Sequence, residues 1–102
     1  MKSIQSIRQD FISGDVEFTR HALRRVVERN ISLDQILQAS SNAEIIEDYP
    51  DDKYAPSCLL LGFTADGRPL HLQITRDEET VTRIITIYEP DPAQWFSYRV
   101  RR

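Results

Sequence analysis

The sequence predicts an α+β fold: N-terminal helices packed on a four-stranded antiparallel sheet, with a short C-terminal helix to close. Three observations carry this. Residues 4–41 space their apolar side chains at the helical period. Residues 43–88 change to runs of strand period, rich in Ile, Leu, Val and Thr. Turn and breaker residues then punctuate the second half, namely Pro50, Pro56, Asp66-Gly67 and Pro90-Asp91-Pro92. A run of helices followed by a run of strands puts the helices on one face of the sheet, in a single domain over residues 1–102.

Taken in order, Ile4, Ile7, Phe11 and Ile12 mark a half-buried first helix. Ser3 suits its N-cap, and Gly14 its stop, because glycine adopts positive φ freely. Residues 15–18 are a connector or a single strand-like pairing, with Phe18 placed to staple the entry of the next helix. Thr19 caps that second helix and Asn30 ends it. At about 100° per residue, His21, Arg25 and Arg29 form one row, while Ala22, Leu23, Val26 and Val27 form an apolar stripe toward the core. Ser32 and Gln35 make a capping box for a short third helix with Leu33, Ile36 and Leu37 inward. Ser40-Ser41-Asn42 stops it.

Residues 43–49 then read as a strand ending at Pro50, and residues 51–56 as a loop. Residues 57–64 form a mostly buried strand. Asp66-Gly67 signals a hairpin of type I′, which needs positive φ at both central positions. Leu70, Leu72 and Ile74 alternate with His71, Gln73 and Thr75, so His71 belongs to a polar strand face. Asp77-Glu78-Glu79 sits in the next turn, and residues 81–88 form the last strand. Asp91 as cap and Pro92 at the first helical position start a final helix holding Trp95 and Phe96, a hydrophobic lid on the sheet, before a frayed arginine tail.

Composition narrows the function classes. Hydrophobic residues are 40% and charged residues 28% of 102, ordinary for a soluble domain. No apolar run approaches the roughly 20 residues of a membrane helix, and the first residues lack a signal-peptide core, so a cytoplasmic location is expected. Cys58 is alone and sits in an apolar run, so an inert buried thiol is expected, with no disulfide. A metal site would need His21 and His71 plus a carboxylate at ligand spacing, and no such spacing exists, so no metal or other cofactor is expected. The net charge of −3 argues against a general nucleic-acid binder. The charges are nevertheless segregated. Arg20, Arg24, Arg25 and Arg29 form one basic patch, Arg99, Arg101 and Arg102 another, and Glu44, Glu47, Asp48, Asp51 and Asp52 an acidic block.

The short blocks Phe18-Thr19-Arg20-His21-Ala22, Ile45-Ile46-Glu47-Asp48-Tyr49-Pro50, Asp66-Gly67-Arg68-Pro69-Leu70-His71 and Ile84-Ile85-Thr86-Ile87-Tyr88-Glu89, in this order, resemble the bacterial domain-of-unknown-function family numbered 4258, over about residues 18–90. That family is distantly similar to the RelE/ParE and BrnT toxins. Gly67-Arg68, Ile74-Thr75-Arg76 and Arg83-Ile84-Ile85 carry the BrnT-like part of the likeness. The resemblance implies a RelE/BrnT-like fold and a toxin–antitoxin ribonuclease. Such an enzyme cuts free or ribosome-bound RNA without a metal and is held inactive by an antitoxin partner.

Cleavage of that kind needs a base for the 2′-hydroxyl proton, cations for the phosphate and an acid for the leaving oxygen. The candidates are His21 or His71 as base or acid, Tyr88 to orient the substrate or supply a proton, and Arg25, Arg29 and Arg68 as phosphate clamps, whose planar forks match phosphate oxygens. Blander roles stand beside each. His21 can bond a loop carbonyl, Glu28 can pair with Arg24 or Arg25, Arg25 or Arg29 can anchor the acidic strand, and Arg68 can sit in solvent at a hairpin tip. The contrasting class is a non-catalytic binding or dimerisation module, which the acidic balance and the scarcity of lysine favour.

Overall fold

A computed structural model describes residues 1–53, 55–78 and 81–102. Tyr54 of the loop after Pro50, Glu79 of the following turn and Thr80 lie outside the described residues. Three helices come first, α1 (Ile4–Ser13), α2 (Arg20–Glu28) and α3 (Leu33–Ser41), with β1 (Val16–Phe18) between the first two. Then follow β2 (Glu44–Tyr49), β3 (Ser57–Phe63), β4 (Pro69–Thr75) and β5 (Thr82–Tyr88), and a small ribbon of β6 (Trp95–Phe96) and β7 (Val100–Arg101).

Each helix begins as its cap residue dictates. Ser3, Thr19 and Ser32 accept from the amides of Ser6, Ala22 and Gln35, and the Gln35 side chain returns the bond to Ser32 to complete the box. Gly14 ends α1 at φ 79°, and Asn30 ends α2 in the left-handed region at φ 52°.

The sheet differs from the expected four-stranded antiparallel one. It has five strands in the order β1-β5-β4-β3-β2, and β1 runs parallel to β5, pairing Val16 with Thr82 and Phe18 with Ile84. The three residues of β1 are too few to show a strand period, which is why only a connector or isolated pairing was legible there. Beyond β1, helix α2 continues along β5. The Thr19 amide donates to the Ile84 carbonyl and the Thr19 hydroxyl to that of Ile85.

This placement corrects the apolar stripe of α2. Ala22 is buried and Val26 packs on the core, but Leu23 is 51% and Val27 81% exposed, because a helix lying alongside one strand buries only a narrow strip. Helix α3 is rotated in the same sense from expectation. Ile36, Ala39 and Ser40 face inward while Leu33 and Leu37 are exposed, as is Ile12 on α1. The reason for α3 is steric: it lies so close to β3 that a Cβ added at Gly62 would sit 2.0 Å from the Ala39 carbonyl oxygen. Small residues must therefore face the sheet.

Ile7, Phe11, Ala22, Ile36, Leu60, Leu72, Ile74, Ile84 and Ile87 form the core between helices and sheet. Cys58 is buried among them, as expected, and burial pushes its thiol up to about 12. At the hairpin, only Gly67 has positive φ, at 86°, with its amide bonded to Thr64, so the turn is type I followed by a left-handed glycine rather than type I′.

The C-terminal helix does not form. Asp91 does cap, accepting from the Ala93 amide, but the turn lasts only to Gln94. The chain then folds back as the β6–β7 ribbon, pairing Trp95 with Arg101 around a tight turn in which Ser97 and Tyr98 have φ of 51° and 63°. The tail is tied down rather than frayed: Arg102 bonds the Gln94 carbonyl through its amide and stacks its guanidinium 4.2 Å over Phe96.

Gly62→Ala is expected to destabilise the protein by about 1–3 kcal/mol or more, because a backbone carbonyl rather than a flexible side chain obstructs the new methyl. Urea unfolding of the variant beside Gly67→Ala, whose added Cβ meets nothing within 4 Å and carries only backbone strain, measures this.

Candidate functional site

The helices cover one sheet face, and the β6–β7 ribbon covers one end of the other. Alternation along β4 puts Leu72 and Ile74 toward the helices and His71 and Gln73 toward the opposite face. His71 was expected to project from a solvated polar face. Instead it is fully buried, because Trp95 lies edge-on to it with ring centroids 4.5 Å apart. Trp95, 3% exposed, is thus the lid that its sequence position suggested, while Phe96 is left outside.

Both His71 nitrogens are engaged. Nε2 lies 2.7 Å from the Tyr98 carbonyl oxygen, which can only accept, so Nε2 carries the hydrogen. Nδ1 is then the acceptor for the Tyr88 hydroxyl at 3.1 Å. Burial lowers the His71 pKa and favours this neutral form, and burial likewise raises that of Tyr88, which keeps its proton. The imidazole therefore pins the ribbon to the sheet and orients Tyr88.

Beside it, Arg101 forks onto both carboxylate oxygens of Glu47, at 2.9 and 3.2 Å from its Nε, and stacks 4.7 Å over Trp95. Tyr49 donates to the same carboxylate. Burial alone would raise the Glu47 carboxyl, but the bonds from Arg101 and Tyr49 outweigh it and hold it below its ordinary value. Glu47 and Tyr49 are two apart on one strand, and that alternation was the signal in the sequence for this cluster.

The acidic residues of β2 are taken up by the ribbon and by Arg76, which follows β4. Glu44 pairs with Arg99 at 2.5 Å, Glu47 with Arg101, and Asp48 with Arg76 at 3.1 Å. Arg25 and Arg29 do not reach them. Arg68 is neither a hairpin-tip residue in solvent nor a free clamp. Its guanidinium donates to Glu89 at 2.6 Å, to the Arg29 and Asn30 carbonyls at 3.0 and 3.2 Å, and to Gln35 at 3.2 Å.

The remaining candidates lie on the exposed side of α2. His21 is exposed, and its Nε2 accepts a long hydrogen bond from Arg25 Nε at 3.4 Å. Arg25 also pairs with Glu28 at 2.8 Å. Among the described residues no carboxylate pairs with Arg20, Arg24 or Arg29, all exposed. The structure thus separates the six candidates. His21 and Arg25 lie on α2, and Arg29 is its C-cap. His71 and Tyr88 are joined at the ribbon. Arg68 links the C-terminal end of α2 to Glu89, just beyond β5. Among the described residues no group of three His, Cys, Asp or Glu side chains is arranged to hold a metal ion, and no helix is long and apolar enough to cross a membrane.

A family model described as a domain of unknown function, DUF4258, matches residues 18–89. No curated protein and no solved structure matches the chain.

The His71 geometry fixes a pH dependence. A histidine held neutral by burial binds fewer protons folded than unfolded. Its contribution is therefore intact above the ordinary value of about 6.5 and is lost as pH falls below that value toward the lowered folded one. Glu47 and Asp10, both lowered, add losses only below the ordinary carboxylate range. Urea midpoints should fall between pH 7.5 and 5.5 in the wild type, and His71→Gln should flatten that slope. An unchanged slope would remove His71 as its source.

Proposed function

The chain belongs to the DUF4258 family, and for it we propose a toxin-like, metal-independent endoribonuclease activity carried by the exposed side of α2. One observation carries the reading: an accessible imidazole, His21, stands within 3.4 Å of Arg25 on a helix whose Arg20, Arg24 and Arg29 meet no neutralising carboxylate among the described residues. The overall charge of −3 does not count against it, because the acidic residues of β2 are occupied by Arg76, Arg99 and Arg101. The positive field that RNA meets is local.

In this reading Nε2 of His21 takes the 2′-hydroxyl proton and the 2′-oxygen attacks the adjacent phosphorus. The bond to the 5′-oxygen breaks, and that oxygen takes a proton from solvent, because the Tyr88 hydroxyl hydrogen is committed to His71 and is not shared with α2. The products are a 2′,3′-cyclic phosphate and a 5′-hydroxyl. Arg24, Arg25 and Arg29 hold the phosphate. The Arg25–Glu28 pair does not prevent this, since an exposed pair of this kind contributes only about 0.2–1 kcal/mol and yields to a phosphate. Arg68 serves as a positioning residue for α2, while His71 and Tyr88 hold the ribbon and take no part in the cleavage. The RNA is free or ribosome-bound, and a partner protein restrains the activity, as the RelE/BrnT resemblance implies.

A second reading has its own observation. Ile12, Leu33 and Leu37 are exposed around an apolar groove of about 440 Å³ that also takes in Phe11, Val16 and Phe18. A groove of this kind fits a dimerisation module without chemistry, the occupant being a second copy of the chain.

The purified protein should cut single-stranded RNA in the presence of EDTA, leaving cyclic phosphate ends. His21→Ala should lower the rate by about 10²–10⁴-fold, and Arg24→Ala with Arg29→Ala should weaken RNA binding in a salt-dependent way. No cleavage by the wild type, together with a dimer in sedimentation that Leu37→Asp dissociates, would favour the second reading.

A further inference from the structure

The ribbon leaves the other end of its sheet face uncovered, and there a groove of about 520 Å³ opens between β4, β5 and the loop after β2. That volume lies in the ~300–1,000 Å³ range of small-molecule sites. Its walls are of two kinds. Ile85 and Ala55 supply apolar surface, and Asp52, Gln73, Thr75 and Arg83 supply polar groups.

The polar groups are ordered by a buried hydroxyl. Ser57, fully buried, donates to Asp52 Oδ2 at 2.7 Å and accepts from Gln73 Nε2 at 3.4 Å. A single hydroxyl hydrogen can be given only once, so these bonds fix both neighbours. They leave Asp52 Oδ1 and Gln73 Oε1 as two acceptors with no hydrogen bond from another described residue. Arg83 is more than half exposed, as is its partner Glu17 at 3.2 Å, so its guanidinium can turn to an anion.

We propose that this groove is a nucleobase site selective for guanine, resting on the RNA-directed reading above. Two acceptors on side chains tied to the same hydroxyl, both lining the groove, call for two donors on one edge of the ligand. Guanine alone among the four RNA bases presents them on one edge, at N1–H and the N2 amino group. Adenine and cytosine each offer one amino donor beside an acceptor, and uracil one imide donor between two carbonyls. The ring face lies on Ile85 and Ala55, as unpaired RNA bases lie on apolar and aromatic side chains, and Arg83 takes the phosphate. Thr19, the N-cap of α2, also lines the groove. A nucleotide seated there therefore has its sugar and phosphate beside the first turn of α2, which carries His21.

The full chain titrated with 5′-GMP, 5′-AMP, 5′-CMP and 5′-UMP, followed by amide chemical shifts, tests this without any need for cleavage. GMP should bind at least about tenfold more tightly than the others, the discrimination of one good bidentate pair, and shift the amides of Gln73, Thr75 and Arg83. Asp52→Asn should abolish the preference, and Gln73→Glu, which keeps an acceptor, should retain part of it. Equal binding of all four nucleotides, or a GMP preference unchanged in Asp52→Asn, overturns the proposal. GMP selectivity in a chain that does not cut RNA would uphold the site and overturn only the nuclease reading.

Discussion

The Arg68 guanidinium draws four parts of the chain to one point. It receives its position from the β3–β4 hairpin and donates to the last carbonyls of α2, to Gln35 in the first turn of α3 and to Glu89 beyond β5. The carbonyls at a helix C-terminus carry the negative end of its dipole and have no partners within the helix, so a cation with several donors is well matched to them. Gln35 is at once the capping-box residue of α3 and an acceptor for Arg68, so the start of one helix and the end of another are set by the same side chain. Thr19 fixes the opposite end of α2 to β5. Held at both ends, α2 lies alongside β5 with its cationic side outward, and the candidate chemistry of His21 depends on that orientation.

A second constraint acts on the far side of the sheet. Strand β4 is central and is covered by helices on one face and by the C-terminal ribbon on the other. A polar side chain buried there must find partners or cost free energy, and His71 finds two, with the Tyr98 carbonyl and the Tyr88 hydroxyl. The same histidine that reads as a catalytic candidate in sequence becomes the pin that holds the ribbon. The Tyr98 backbone it holds has φ of 63°, a conformation that side chains other than glycine adopt only with support. The ribbon ends where Gln73 begins the open part of the face, so the pin also sets the boundary of the groove.

What was legible in the chain is local. Ser3, Gly14, Thr19, Ser32 with Gln35, and Asp66-Gly67 each act through bonds a few residues away, and each sits where its chemistry requires. The turn at Asp91 also forms, but a cap starts a helix without deciding how long it lasts. Here the burial of Trp95 on His71 and the fork of Arg101 on Glu47 pull the chain into a ribbon instead. The apolar stripe of α2 is buried over a narrower strip than its spacing predicts, for a related reason. Hydrophobic spacing shows which residues share a face, and only the partner shows how wide a face is buried, so Leu23 and Val27 remain outside.

The amino-acid order alone settles α1 to α3 with their caps, β2 to β5, the burial of Cys58 and the concentration of arginine on the second helix, because these follow from bonds and spacings within a turn or a strand. Folding in three dimensions settles the parallel pairing of β1 with β5, the burial of His71 and the commitment of Arg68 to backbone carbonyls. Those depend on contacts between residues far apart in the chain, where a side chain's role is set by the acceptors that happen to surround it. A histidine or an arginine carries the same donors wherever it stands, and it is the surrounding packing that makes one a pin, another a strut and a third an open site.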